Sequence, residues 1–368
     1  MQKKLIALAI TAAFSAPAFA DTTVYGVVDT GFGTVSNTHT TTAGVSTKTG
    51  LQTINFSQLW TTRFGIKNTE DLNNGMKLTS IVETNIAAKN PMNDSNFGGA
   101  AVTAPGVSTG PTATTLGDRI LDLALDLGQG TTILVGKMSS PLRNIAYGYD
   151  AFYGSNLVGN LVTMDGSLTA RAVAAGVAQN FGAVTATLAV LDNTSTKDGT
   201  PDIKYGNGFE ATATFKQNAL AVSAGYRSTK ATTNGTTLPI ATNSDTTTKD
   251  LILGASFDFG MAKLYGQFAT VKVDQSVAPT TTDKKTYETL GVNVPFTPVL
   301  AGYVQTSFGK HDTGTDSPKM TAFAVGAKYD FSKNTSAYAD VGSAKSDQTA
   351  LTAGSKVEQI AIGLVHSF

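Results

Sequence analysis

Apolar and polar positions alternate along most of this chain. After Asp250, one face carries Leu251, Leu253, Ala255, Phe257 and Phe259, and the other carries Ile252, Gly254, Ser256 and Asp258. Beyond Pro318, Thr321, Phe323, Val325, Ala327, Tyr329 and Phe331 oppose Ala322, Ala324, Gly326 and Lys328. Near the C-terminus Ile360, Ile362, Leu364, His366 and Phe368 alternate with Gln359, Ala361, Gly363, Val365 and Ser367, and Tyr205–Phe215 repeats the pattern. Such runs of roughly ten residues, apolar on one side, match strands that cross a membrane at a tilt.

Connections between the runs alternate in length. Short turns are expected at Asn68–Gly75, Gly128–Gly130, Phe181–Gly182, Gln217–Asn218, Gly260, Pro295–Pro298 and Ser332–Asn334. Longer polar stretches are expected near 35–54, 90–117, 138–168, 193–204, 229–249, 273–284, 310–318 and 344–356. Seven short turns and eight long loops join sixteen strands. An even strand number with this asymmetry predicts an all-β fold, a 16-stranded antiparallel transmembrane β-barrel with short periplasmic turns and long external loops. Tyr25, Phe181, Phe215, Phe259, Phe296, Phe331 and Phe368 stand at strand ends and are expected to form an aromatic girdle.

The N-terminus reads as an export signal: Lys3 and Lys4, an apolar run over Leu5–Phe14, and Ala18-Phe19-Ala20 before the cleavage point. A membrane anchor is the competing reading, but the run falls short of ~20 apolar residues. Residues 1–20 are therefore assigned to a signal peptide and 21–368 to the barrel. The sequence contains no cysteine, which excludes thiol nucleophiles and thiolate metal sites. Removing the two leader lysines leaves the chain two charges negative. That balance argues against a nucleic-acid partner.

Alternation also assigns residues to the lumen, because Arg or Lys facing lipid at mid-depth costs roughly 2–4 kcal/mol. Phe64 and Ile66 share the apolar face, turning Arg63 and Lys67 inward; Leu78 and Val82 turn Lys77 and Glu83 inward. Glu210, Arg227, Asp258, Lys263 and Lys328 follow by the same logic. Arg63 and Glu83 are candidates for a ring that sorts ions by charge. The register of Leu121, Leu123, Leu125 and Leu127 would put Arg119 on the apolar face unless a bulge intervenes. No metal-ligand spacing, cofactor motif or nucleophile–base pattern emerges; His39 and His311 fall in expected loops and His366 on an apolar face.

Several segments resemble the Gram-negative general porins of the neisserial and bordetellal type. Val24-Tyr25-Gly26-Val27-Val28-Asp29 looks like their opening strand, and Arg63–Gly75 like their second strand and first periplasmic turn. Gly136-Lys137 before Pro141-Leu142 is similar to the approach to their third loop, and Phe368 matches the terminal aromatic offered to the barrel assembly machinery. The resemblance implies a homotrimer in outer-membrane lipid and lipopolysaccharide. Each barrel would form a water-filled channel for passive diffusion of ions and small hydrophilic solutes.

The resemblance also implies a third loop folded inward over about 138–168, with Arg143, Asp150 and Asp165 as its charges. Packing of Tyr147, Tyr149, Phe152 and Tyr153 on the inner wall would account for so many aromatics in one loop. By location Arg119 and Arg171 resemble wall arginines of the family. The loop has no acidic cluster, and the basic residues placed inside outnumber the acids, which gives a slight anion preference. The alternatives are a barrel adhesin or receptor acting through its loops, a barrel lipid hydrolase, and a soluble secreted β-protein.

Overall fold

The computed structural model describes residues 20–56, 59–86, 116–155, 157–197, 200–234, 243–276, 282–349 and 351–368. The expected leader lies outside them save Ala20, as does most of the second long loop. The strand segments are β1 (Ala20–Thr40), β2 (Ser46–Phe56), β3 (Arg63–Asp71), β4 (Lys77–Asn85), β5 (Ile120–Asp126) and β6 (Thr131–Ser139). They continue as β7 (Arg171–Asn180), β8 (Val184–Lys197), β9 (Thr200–Gln217), β10 (Leu220–Asn234), β11 (Asn243–Asp258) and β12 (Lys263–Gln275). The last five are β13 (Thr282–Pro295), β14 (Leu300–Asp312), β15 (Lys319–Asp330), β16 (Thr335–Ser346) and β17 (Gly354–Ser367).

These seventeen segments make sixteen staves. β2 and β3 both pair with β1, β2 along Thr30–Thr40 and β3 along Ala20–Val27, so together they form one interrupted strand. β1 also pairs antiparallel with β17 from Val27↔Ser367 to Thr40↔Gly354, which closes the sheet. The C-terminal Phe368 extends this seam through reciprocal backbone bonds with Gly26.

A buried carboxylate accounts for the interruption. Asp29 of β1 is fully buried, and its Oδ2 accepts from the backbone N–H groups of Leu59 and Trp60, each at 2.6 Å. Tyr338 Oη donates to its Oδ1 at 2.6 Å. Two backbone donors spent on a side chain are lost to the ladder, so the strand opens between Phe56 and Arg63.

The outer surface is the expected apolar belt: Leu121, Leu123, Val173, Leu188, Phe209, Leu253, Leu290, Phe323, Val325, Ile360 and Ile362 all point outward and are exposed. Phe181, Phe259, Phe296 and Phe331 stand exposed beside short turns, as a girdle requires. Tyr25 does not join them. It points inward, and its hydroxyl donates to Glu83 Oε2 at 3.1 Å.

All seven short turns lie where expected. The long loops differ: β1 runs for 21 residues and β9 for 18, against about ten needed to span the hydrocarbon. Most of the stretches 35–54, 193–204 and 229–249 are therefore strand. Beyond the membrane both faces are wet, so alternation disappears. The β-branched threonines keep the backbone extended and paired.

Candidate pore constriction

Residues 140–155 and 157–170 fold inside the barrel and include two short helices, α1 (Pro141–Gly148) and α2 (Leu161–Met164). Ser140 caps α1, its Oγ accepting from Arg143 N at 3.1 Å, and Pro141 occupies the first turn, where no N–H is needed. Asn160 caps α2 by accepting from Val162 N at 2.9 Å. The spacing of Leu142, Ile145, Ala146 and Tyr149 gives α1 one apolar face. That face packs with Leu161, Val162 and Leu168 on wall residues such as Ile252, Ala269, Val271 and Ala322.

Neutral amides on the wall receive the loop's backbone. Gln305 Oε1 accepts from Ala151 N at 2.9 Å and Gln359 Oε1 from Val158 N at 3.0 Å, while Gln267 Nε2 donates to the Ala146 carbonyl at 2.7 Å. A buried ion cluster fastens both ends of the loop. Glu210 accepts from Leu142 N near its start, and Asp250 Oδ2 accepts from Ser167 Oγ at 2.9 Å near its finish. Arg227 joins the two acids, 2.6 Å from Asp250 and 3.8 Å from Glu210. Sequence reasoning placed Glu210 and Arg227 inside but gave them no loop to hold. It missed Asp250 and the glutamines, whose only signal is inward parity.

The loop covers the wall from β9 to β17 and leaves the side formed by β3 to β7 open, where most of the expected site residues converge. Glu83 Oε1 lies 2.6 Å from Arg119 Nε, and its Oε2 lies 3.3 Å from Arg63 Nε. Arg119 also donates to Asn85 Oδ1 at 3.0 Å. The Arg143 guanidinium lies over the Tyr147 ring, 4.2 Å from its centroid, and donates to the Thr169 carbonyl. Arg171 extends the group; its buried Nε has no hydrogen-bond partner among the described residues. Arg119 interacts electrostatically with Arg63, Arg143 and Arg171. Burial first, and the Arg119 charge with it, draws the Arg143 guanidinium below its ordinary pKa. Two of the four guanidinium groups, those of Arg63 and Arg119, thus share one carboxylate.

Three expected members stand apart from this cluster. Lys77 is exposed at the short-turn rim, 2.9 Å from Asp71. Asp150 is buried in a turn of the inward loop, accepting from Phe152 N at 3.2 Å and Gly154 N at 2.8 Å; burial pushes its pKa up. Asp165 accepts from Tyr287 Oη at 2.8 Å and lies 3.5 Å from Lys285. Of the loop aromatics, Tyr149 and Phe152 pack on the wall, Tyr147 lies under Arg143, and Tyr153 is half exposed. His366 faces outward and meets Thr335 Oγ1 at 2.9 Å.

Known proteins share this fold. A family model described as Gram-negative porin matches residues 7–349. Outer membrane porin protein 32 of Delftia acidovorans is 27% identical over 372 residues, covering 100% of this chain and 96% of that protein. The major outer membrane protein P.IB of Neisseria gonorrhoeae is 30% identical over 167 residues, 45% of this chain and 40% of that one. The solved anion-selective porin from Comamonas acidovorans superposes with a TM-score of 0.68 at 20% identity, covering 95% of this chain and 100% of that one. This chain belongs to the Gram-negative porin family, the outer-membrane barrels that let solutes diffuse passively through a water-filled channel.

Proposed function

We propose that this porin passes ions and small hydrophilic solutes with a modest preference for anions, set where the inward loop faces β3 to β7. The observation that carries the reading is a cluster of four arginines, Arg63, Arg119, Arg143 and Arg171, of which Arg63 and Arg119 pair with Glu83 while Arg143 and Arg171 make no ion pair among the described residues. A cationic rim in a narrow aqueous path concentrates anions and repels cations without any chemical step. Asp150 and Asp165 do not offset it, since each carboxylate is buried against partners of its own. The description of the Comamonas acidovorans porin as anion-selective favours the same sign.

The functional unit is a homotrimer in outer-membrane lipid and lipopolysaccharide, exported by the 1–20 leader. Its short turns lie in the periplasm, its long loops outside, and Phe368 is presented to the barrel assembly machinery. The test is a planar bilayer holding the purified protein under a potassium chloride gradient. Openings grouped in threes and a reversal potential of anionic sign are expected. A cationic sign would overturn the selectivity reading, and a folded barrel without conductance would overturn the open pore.

A further inference from the structure

Away from the arginine cluster, the inner wall carries a small pocket with unusual chemistry. Trp60, Phe152, Tyr153, Tyr303 and Tyr338 line it together with one carboxylate, Asp340 of β16. The rings meet one another closely: Trp60 and Tyr338 edge to face at 5.5 Å, Phe152 and Tyr303 at 5.6 Å, Tyr153 and Tyr303 at 5.9 Å. Asp340 is only 3% exposed, and its buried Oδ2 has no hydrogen-bond partner among the described residues. The neighbouring Asp29 cannot share its donors, because Leu59 N, Trp60 N and Tyr338 Oη already occupy its two oxygens. Lys328 borders the pocket, but its ammonium lies 3.2 Å from Asp330.

We propose that this pocket binds the ammonium head of small primary amines. A buried carboxylate oxygen without a partner is costly, and an incoming cation relieves that cost. The free space holds one water-sized group. That admits a –NH3+ head with its alkyl part left in the lumen and excludes a quaternary ammonium. Aromatic walls favour a cation over a neutral group of the same size. A hard metal ion would need six or more oxygen ligands, and Asp340 is the only carboxylate lining the pocket. The site thereby gives the lumen a cation-recognising face distinct from its arginine face.

Trp60 is the single tryptophan of the chain, so its fluorescence reports on the pocket directly. Methylammonium chloride is titrated into the purified full-length protein, with potassium chloride keeping ionic strength constant. A saturable change in Trp60 emission is expected, absent with potassium chloride alone and with methanol, a neutral molecule of similar size. In Asp340→Asn the apparent Kd should rise at least tenfold while conductance in potassium chloride persists. A response to methanol equal to that for methylammonium, or an unchanged Kd in a conducting Asp340→Asn protein, would overturn the assignment. Should Asp340→Asn fail to fold, the methylammonium–methanol comparison in the native sequence decides alone: saturation by the cation only supports the site, and no saturable response sinks it.

Discussion

Glu83 Oε1 lies 2.6 Å from the Nε of Arg119, a residue one position ahead of the strand that pairs with β4. The same carboxylate reaches Arg63 through its other oxygen, so one acid orders two of the four arginines on the open side of the pore. Its removal strengthens the cationic field and loosens the side chains that make it. A unit charge about 7 Å from a passing ion is worth about 0.6 kcal/mol in water, close to RT. Glu83→Gln takes that attraction from a cation and the equal repulsion from an anion, and should therefore raise the anion-to-cation permeability ratio roughly sevenfold, by the same estimate. Reversal potentials in the native protein and the variant check this, and the shift should shrink as salt rises.

Asp316 ties two loops together. Its Oδ2 accepts from Thr349 Oγ1 and, at 2.6 Å, from Thr352 Oγ1. The Thr349 bond first, and the Thr352 bond after it, hold its pKa below the ordinary carboxylate value. A depressed folded pKa contributes stability that is present above the unfolded value, about 4, and lost as pH falls through the folded one. The two loops should stay joined at neutral pH and separate only in acid, below the usual carboxylate range. Hydrogen exchange over 313–318 and 347–353, corrected for intrinsic rates, should show that onset. In Asp316→Asn the acid-induced step should be missing.

The barrel was legible because lipid enforces a two-residue period: Phe323 and Val325 face out while Ala322 and Ala324 pack inside. Where lipid ends, the period ends, so the threonine-rich strand extensions of β10 and β11 read as loops. Arg119 illustrates the limit of parity. It belongs to a bend that includes Gly117 at φ 78°, so counting back from Leu121 assigns it the wrong face. The wall glutamines that receive the inward loop were illegible for another reason. A neutral inward residue fits a water-filled lumen equally well whether or not a loop rests on it.

Gly254 leaves the space that the ring of Tyr149 fills. A Cβ added there would stand 2.2 Å from Tyr149 Cδ2, while the Tyr149 hydroxyl is held at 2.7 Å from Ser223 Oγ. The ring is pinned at its far end, so Gly254→Ala must push the start of the inward loop toward the open side. Overpacking of this kind costs about 1–3 kcal/mol. Single-channel conductance should fall while the barrel remains folded and heat-modifiable. Unchanged conductance would mean that the loop does not narrow the path.

Arg227 holds the inward loop at both ends by neutralising Glu210 and Asp250, two acids that are 1% and 0% exposed. Removing one partner of such a buried cluster leaves uncompensated charge and costs about 3–5 kcal/mol. The barrel ladders do not pass through these side chains, so the loss should fall on the loop. Arg227→Met is expected to give larger, noisier openings and faster cleavage within 140–170 by added protease. Neutralising the acids as well, in Glu210→Gln/Arg227→Met/Asp250→Asn, removes the buried charge but not the hydrogen-bond acceptors for Leu142 N and Ser167 Oγ. The triple variant should therefore recover much of the native conductance and protease resistance. If it proves as leaky as Arg227→Met alone, the guanidinium acts by its own hydrogen bond to the Ser167 carbonyl rather than by balancing charge.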